Sequence, residues 1–394
     1  MGYTGVSPWG AATVSIAMPW KEATSMSLRT EFVALAHGQG VSVSELARRF
    51  GISRKTAYKW LQRAAAGEPM QDRSRRPQAS PRRTDDTLEA QVVALRQQHP
   101  CWGGRKLARV LLNRGHDPVP APSTITHILR RHGLLSAATE GASSAWQRFE
   151  HAAPNELWQM DFKGTVMLGS GRCDPLTVLD DHSRYNLALR ALSDMRAATV
   201  QAALTQTFRR YGLPWRMNMD NGSPWGSPAG DSHGLSGLSV WLVRLGIHVS
   251  FSAPAHPQTN GKDERFHRSL KAEVLHGRAW VDQAHLQRAL DRWRTIYNEI
   301  RPHEGIAMAV PQARYRPSAR AFPEVLPTIE YAPQDQVLRV RANGVVSFQG
   351  HLWKVSNALR GYPIAARPRD AQDGLYDLYF AHHRLTTIDL HDTD

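Results

Sequence analysis

The hydrophobic pattern of this chain changes period at Leu157, and that change limits the folds open to it. Upstream, apolar residues recur at helical spacing, as in Leu88, Val92 and Leu95. Downstream, Trp158 to Phe162, Leu176 to Leu179 and Asn186 to Leu189 read as three successive strands, with Asp180-Asp181-His182-Ser183-Arg184 as the turn between the last two. Ala197 to Tyr211 then reads as a helix ended by Gly212 and Pro214, Trp215 to Met219 as a strand, Leu235 to Leu245 as a helix and His248 to Phe251 as a strand. Further helices run from about Gly261 to His276 and from about Asp282 to Glu299. Three consecutive strands, then helices alternating with strands, predict an α/β core on a mixed sheet.

The flanks differ. Residues 28–66 predict short helices: Ser44 to Phe50, a break at Gly51-Ile52, then a second helix from Arg54 to Arg63 with Ser53 as its N-cap. Helix, glycine turn, helix is a helix-turn-helix outline. Ser53, Arg54, Lys55, Tyr58 and Lys59 give the second helix a polar, basic face suited to a major groove. A plain helical hairpin with a solvated basic face is the competing reading. Residues 67–85 read as a Pro/Arg-rich linker in which Arg73, Arg75 and Arg76 either lie along phosphates or touch nothing. Residues 86–135 repeat the helical theme. One helix opens near Gly104-Arg105-Lys106, and another is capped by Pro122-Ser123-Thr124, with Thr126, Arg130 and Arg131 on its polar side. The region reads as a second helix-turn-helix or as a purely structural three-helix unit. Residues 136–153 read as a linker and residues 1–27 as an unstructured extension, with Met18 as an alternative start. Residues 335–392 predict a small β-barrel: Val337 to Arg341 and Val345 to Phe348 flank Asn343-Gly344, which suits a type I′ turn. Leu352 to Val355, Pro363 to Ala366 and Leu375 to Phe380 continue as short strands. The expected class is multidomain: all-α helix-turn-helix units, an α/β core from 154 to 325, and a C-terminal barrel.

Charge narrows the partners. Lysine and arginine number 49 against 35 aspartates and glutamates, a net +14. Residues 1–150 carry +10 of it, residues 151–330 carry +4, and the remainder is neutral. The front of the chain is therefore the expected footprint on a polyanion, double-stranded DNA. Two cysteines, Cys101 and Cys173, are too few for a disulfide framework or a four-cysteine zinc site. No run approaches 18 apolar residues, and the first 17 residues lack the basic and apolar regions expected of a signal peptide. The expectation is a cytoplasmic, nucleoid-associated protein without a membrane partner.

Three acids sit where exposed carboxylates make chemical sense. Asp161 lies inside an apolar strand, Asp220 at a strand end before Asn221-Gly222, and Glu264 in the first turn of the helix from Gly261. Three carboxylates can hold two divalent metals roughly 3.5–4 Å apart, the arrangement used for in-line displacement at phosphorus. Taken alone, acids spread this widely are weak evidence.

The surrounding residues strengthen it. Trp158-Gln159-Met160-Asp161-Phe162, Met219-Asp220-Asn221-Gly222 and the run His256 to Lys271 resemble the catalytic core of DDE-type insertion-sequence transposases, relatives of retroviral integrases. Leu179 to Arg184, Tyr297-Asn298 and Arg301-Pro302-His303 resemble that family too. The resemblance implies an RNase H-like fold, two Mg²⁺ or Mn²⁺ ions and DNA strand transfer, with Asp161, Asp220 and Glu264 matching the metal-binding acids. Two departures stand out. Forty-three residues separate Asp220 from Glu264, more than is usual in the family, and the excess falls in the Gly/Ser/Pro-rich stretch Ser223 to Gly237. The residue before the glutamate, usually apolar, is Asp263. On a helical wheel Asp263 joins the stripe of Phe266, Leu270 and Val274, whereas Glu264 lies with His267, Arg268 and Lys271. That favours Glu264 as ligand and keeps Asp263 as the alternative.

Lys262, Arg265, Arg268 and Lys271 read as phosphate contacts or as a solvated basic face. Asp180, Asp181 and Arg184 read as turn-fixing residues. Asp181, His182 and Ser183 are adjacent and cannot converge as a catalytic triad. His256 and His267 read equally as phosphate contacts or ordinary loop and surface histidines. The expected activity is end binding by the front domains, hydrolysis to free a 3′-hydroxyl and joining of that hydroxyl to target DNA by a homo-multimer. A silent DNA-binding regulator and a nuclease without strand transfer are the rivals.

Overall fold

The computed structural model describes residues 24–38, 40–73, 83–135, 150–226, 235–251, 261–369 and 373–391. The chain divides into two compact units, residues 1–83 and 84–394.

The first unit is three helices: α1 (Ser25–His37), α2 (Val43–Arg49) and α3 (Arg54–Ala65). Ser42 caps α2 by accepting from Glu45 N, and Ser53 caps α3 by accepting from Thr56 N at 3.1 Å. Gly51, at φ +64°, makes the turn between them in the left-handed region that glycine tolerates. Phe32, Leu46, Ala47 and Ala57 form the small core, and Phe50 meets Phe32 edge-on.

The second unit opens with α4 (Asp86–Gln98), α5 (Gly104–Asn113) and α6 (Pro122–Arg131), packed around Trp102, Leu107, Leu111, Ile125 and Leu129. Gly104 is where α5 crosses the start of α6. A side chain there would strike the Pro122 carbonyl and come within 2.8 Å of Thr126 Oγ1.

The α/β core follows: β1 (Leu157–Phe162), β2 (Val166–Leu168), β3 (Gly171–Asp180), β4 (Asn186–Leu192), α7 (Ala197–Tyr211), β5 (Arg216–Met219), α8 (Gly237–Arg244), β6 (His248–Phe251), α9 (Gly261–Leu270) and α10 (Gln283–Thr295). β1, β3 and β4 pair antiparallel, as tight connections require, while crossovers through α7 and α8 bring β5 and β6 in parallel to β1. The sheet is the mixed one expected. β2, which the sequence did not disclose, is a three-residue extension along β3. Both faces are covered, so eight successive residues of β3 are buried. Trp158, Met160, Val178 and Leu204 lie on the side of α7 and α8. Leu179, Leu189, Phe266, Leu270, Leu290 and Trp293 lie on the side of α9 and α10. Each of these last two helices ends in a π-helical turn, Lys271–Leu275 and Ile296–Ile300.

The C-terminal region contains β7 (Gln336–Arg339), β8 (Val345–Phe348), β9 (His351–Lys354), β10 (Pro363–Pro368), β11 (Leu375–Phe380) and β12 (His383–Asp389). They form an antiparallel sheet in the order β12-β11-β10-β7 and a β8-β9 hairpin. The Asn-Gly turn forms, with Gly344 at φ +72° and Arg341 N donating to Val345 O. The ladder stops there because β7 pairs with β10 and β8 with β9. β12 was not foreseen. The apolar residues of this module share one cluster with those of α7 and α8.

Candidate active site and nucleic-acid face

Register brings the first two acids together. Gln159 of β1 lies opposite Asn218 of β5 in a parallel pair, so two residues on Asp161 stands beside Asp220 at the strand ends. Phe162 stacks on Trp225 at 5.1 Å and ties the chain after Asp220 to the strand carrying Asp161. Gly222 N donates to Asp220 Oδ1 at 2.9 Å, and a Cβ at Gly222 would come within 3.2 Å of that oxygen. Phe162 N donates to Asp161 Oδ1. Burial, aided by the Asp220 charge, pushes the Asp161 carboxyl up to about 6 against the Phe162 hydrogen bond. Two carboxylates side by side in this way call for a cation. Their hard oxygens suit Mg²⁺ or Mn²⁺, which take few protein ligands and keep waters. Among the described residues, no three acid, histidine or cysteine side chains converge closely enough to hold an ion alone.

The helix α9 divides as its wheel predicts. Asp263, Phe266 and Leu270 are buried, while Glu264, Arg265, Arg268 and, in the π turn, Lys271 are exposed. Asp263 is 3% exposed, its Oδ1 has no hydrogen-bond partner among the described residues, and burial with Asp161 and Asp181 nearby raises its carboxyl far above the usual range. His267 departs from the wheel. Its ring is neither loop nor surface: Nε2 lies 2.9 Å from Thr177 Oγ1 and Nδ1 3.7 Å from Asp161 Oδ2. Burial, with Lys163 near, lowers this imidazole to about 4. His256, Pro257, Gln258, Thr259 and Asn260 lie outside the described residues, as do 227–234 of the Ser223 to Gly237 stretch.

Lys262 is corrected from phosphate contact to buried partner. Its ammonium is paired with Asp181, whose side chain is 1% exposed and also accepts from Gln159 Nε2 and His151 N. This ties the first turn of α9 to β1 and to the turn after β3. Asp180 accepts from Asn155 N, Ser183 N and Ser183 Oγ, so the Asp180–Arg184 turn is stapled from within. Ser183 serves Asp180 and His182 Nδ1 meets the His151 carbonyl, which leaves no triad. Arg301 binds Glu273 at 3.1 Å and Ser269 Oγ at 3.0 Å and contacts His303, and Asn298 exchanges hydrogen bonds with the Asn186 backbone. These motif residues brace α9 and α10 against the sheet.

The basic face of α3 is open: Ser53, Arg54, Lys55, Tyr58 and Lys59 are exposed, Lys59 leaning 4.8 Å over the buried Trp60 ring. Arg73 pairs with Glu68 at 2.6 Å, and Arg75 and Arg76 lie outside the described residues. In the α4–α6 unit Arg105, Ser123, Thr124 and Arg130 are exposed, and Arg105 stands 3.9 Å from Glu304. Three of the expected contacts there have intramolecular surroundings of their own. Thr126 donates to Pro122 O, the exposed Arg131 pairs with Glu89 at 2.6 Å, and Lys106 is half-buried, burial beside Arg301 lowering it to about 8. Sequence reasoning missed the placing of Gln159 and His267. Position gave one signal, since both share a face with an acid, two residues before Asp161 and three after Glu264. Among the described residues no helix is long and apolar enough to cross a membrane.

Comparison with known proteins agrees with this architecture. Residues 151–257 and 245–311 match models of an integrase core domain. Residues 28–78 match a helix-turn-helix domain, 56–129 a homeodomain-like domain, and 335–394 the C-terminal domain of IS481 family transposases. An uncharacterized 31.7 kDa protein of insertion element IS407 from Burkholderia multivorans is 25% identical over 250 residues, covering 62% of this chain and 87% of that protein. The transposase of insertion sequence IS629 from Shigella sonnei is 23% identical over 239 residues, 58% of this chain and 78% of that one. The HTLV-2 integrase catalytic core domain in complex with magnesium aligns at 14% identity and a TM-score of 0.31, over 42% of this chain and 99% of that one.

Proposed function

We propose that this chain, with its helix-turn-helix domains, integrase core and IS481-type C-terminal domain, is a DDE transposase. It binds the terminal inverted repeats of its element through α3 and the exposed residues of α5 and α6. It hydrolyses a phosphodiester to free a 3′-hydroxyl and joins that hydroxyl to target DNA, as a multimer that processes two ends together. The observation that carries the reading is the register that sets Asp161 beside Asp220, with Gly222 leaving the second carboxylate clear.

Asp161, Asp220 and Glu264 are the proposed ligands of two Mg²⁺ or Mn²⁺ ions. Such ions, when bound, supply activation of the attacking oxygen and stabilisation of the leaving one. The chain's own residues do the positioning. The β1–β5 pair fixes two acids, Lys262–Asp181 seats the helix carrying the third, and exposed Arg265, Arg268 and Lys271 receive DNA phosphates.

The test is a strand-transfer assay of the full chain on labelled terminal-repeat DNA with Mg²⁺. Joined product is expected. End binding without cutting under Mg²⁺ or Mn²⁺ overturns the reading in favour of a silent regulator, and cutting without joining overturns it in favour of a nuclease.

A further inference from the structure

The hydrogen bonds around His267 determine which ring nitrogen carries the proton. Thr177 lies opposite Asp161 in the β1–β3 pairing. Its hydroxyl donates to the Asp161 carbonyl oxygen at 2.9 Å, and the same hydroxyl oxygen lies 2.9 Å from Nε2 of His267. A hydroxyl has one proton to give. With that proton on the carbonyl, Thr177 can only accept from the ring, so Nε2 bears the hydrogen and Nδ1 is a bare lone pair.

That lone pair faces Oδ2 of Asp161 across 3.7 Å. The separation is too long for a hydrogen bond, and an ionised carboxylate has no proton to offer. Two acceptors aimed at each other repel unless a cation stands between them, and the His267 side chain is only 13% exposed. Among the described residues, no lysine or arginine forms a salt bridge with Asp161. Two ligands each about 2.1 Å from one ion stand roughly 3.0–3.4 Å apart, close to the spacing seen. The acceptor role of Thr177 also matches the usual arrangement of a ligating histidine, whose other ring nitrogen donates to a neighbouring oxygen.

We infer that Nδ1 of His267 is a nitrogen ligand to the divalent cation held by Asp161. The inference rests on the metal-binding reading above and adds a donor of a different kind. An imidazole beside carboxylates moves a site's preference from Mg²⁺ toward Mn²⁺ and Co²⁺. It also explains why this histidine lies against the sheet rather than on the polar face its position on the helical wheel assigns it.

The experiment is pulsed electron paramagnetic resonance of Mn²⁺ bound to the full chain, read for coupling to a directly bonded nitrogen-14. The wild-type protein is expected to show the coupling. His267→Asn, which keeps a donor for Thr177, is expected to bind Mn²⁺ without it, and Asp161→Asn to lose the bound Mn²⁺. Mn²⁺ that binds and is lost in Asp161→Asn, but shows no nitrogen coupling, overturns the inference and leaves the two-metal reading standing. So does coupling that persists in His267→Asn. Mn²⁺ binding indifferent to Asp161→Asn overturns both. Should His267→Asn fail to fold, His267→Gln is read for the same loss of coupling.

Discussion

The two compact units of this chain carry their charge differently. In residues 1–83 Arg54, Lys55 and Lys59 of α3 stand exposed beside a small apolar core, Arg48 and Arg49 share one acid, Glu45, and Arg63 alone of the α3 cations is turned in, against Trp60 and Glu68. In residues 84–394 several cations pair with acids that are buried or nearly so: Lys262 with Asp181 and Arg301 with Glu273, both cations themselves largely covered, and the more exposed Arg131 with Glu89 and Arg367 with Asp335. The same residue types do different work. An exposed lysine adds to a long-range field and can release counterions on DNA, whereas a buried one fixes the position of another element. Net charge counts both alike, so it locates a polyanion footprint only after the internally paired charges are discounted.

The sharpest way to break this comparison is to remove a half-buried charge with a proposed chemical role. Asp161→Asn should lower strand joining by on the order of 10³-fold or more, because metal stabilisation of the transition state is worth several kcal/mol. It should leave end binding by residues 1–83 intact, as seen in mobility shifts. Loss of end binding along with joining would mean that the two units do not divide the work.

Next in size is Lys262→Met. Removing one partner of a pair whose acid is 1% exposed should cost about 3 kcal/mol in urea unfolding, since Asp181 would be left buried and uncompensated. The equivalent loss at Lys55 should be within about 0.5 kcal/mol, because that side chain is exposed. Equal costs at the two positions would erase the distinction between the units.

How much of this could be read from the sequence follows the same line. Periodicity revealed the mixed sheet, and α7 and β6 fall where the pattern placed them. It missed β2 and β12, which pair through turns too short or too polar to announce a strand. That Asp161 and Asp220 lie side by side was foreshadowed because each is embedded in a distinctive run. The wheel of α9 separated buried Asp263 from exposed Glu264 correctly but misjudged His267, and the reading of Lys262 as a surface cation did not foresee its pairing with Asp181. A wheel states which way a residue points and not what waits there, and Asp181 and Thr177 lie 81 and 90 positions away. The surroundings of Lys106, Thr126 and Arg131 were hidden for that reason too: Arg301, Pro122 and Glu89 come beside them only in the fold.

A smaller effect separates free from covered lysines directly. Lys55→Ala should reduce the slope of log affinity for terminal-repeat DNA against log salt by about 1, the signature of one lost phosphate contact. Lys106→Ala should change the slope by clearly less, because that side chain is half-buried and its ammonium is withdrawn from the surface. A slope change at Lys106 as large as that at Lys55 would place the α4–α6 unit with the first unit rather than with the core.

The smallest expected effect concerns how acid reaches the second unit. His382, in the turn between β11 and β12, meets His248 of β6 edge-on at 4.4 Å, and its buried Nε2 has no hydrogen-bond partner among the described residues. Burial, with His248, His383 and Arg320 around it, holds this imidazole down at about 4, and no carboxylate enters the balance. A histidine lowered in the fold takes up its proton first in the unfolded chain. Its contribution is therefore present in full above pH 6.5 and is lost as pH falls from there toward 4. The ring is partly exposed, so the loss is modest and is best read as a fall in unfolding temperature over that window. His382→Phe should lessen the fall by the share of this ring, the remainder coming from other buried imidazoles of the unit such as His267 and His303. The α1–α3 unit contains only the exposed His37 and should be indifferent to the same range when its own unfolding is followed through Trp60. A matching fall in the Trp60 signal would show that acid acts on charges common to both units rather than on the buried seam beneath β6.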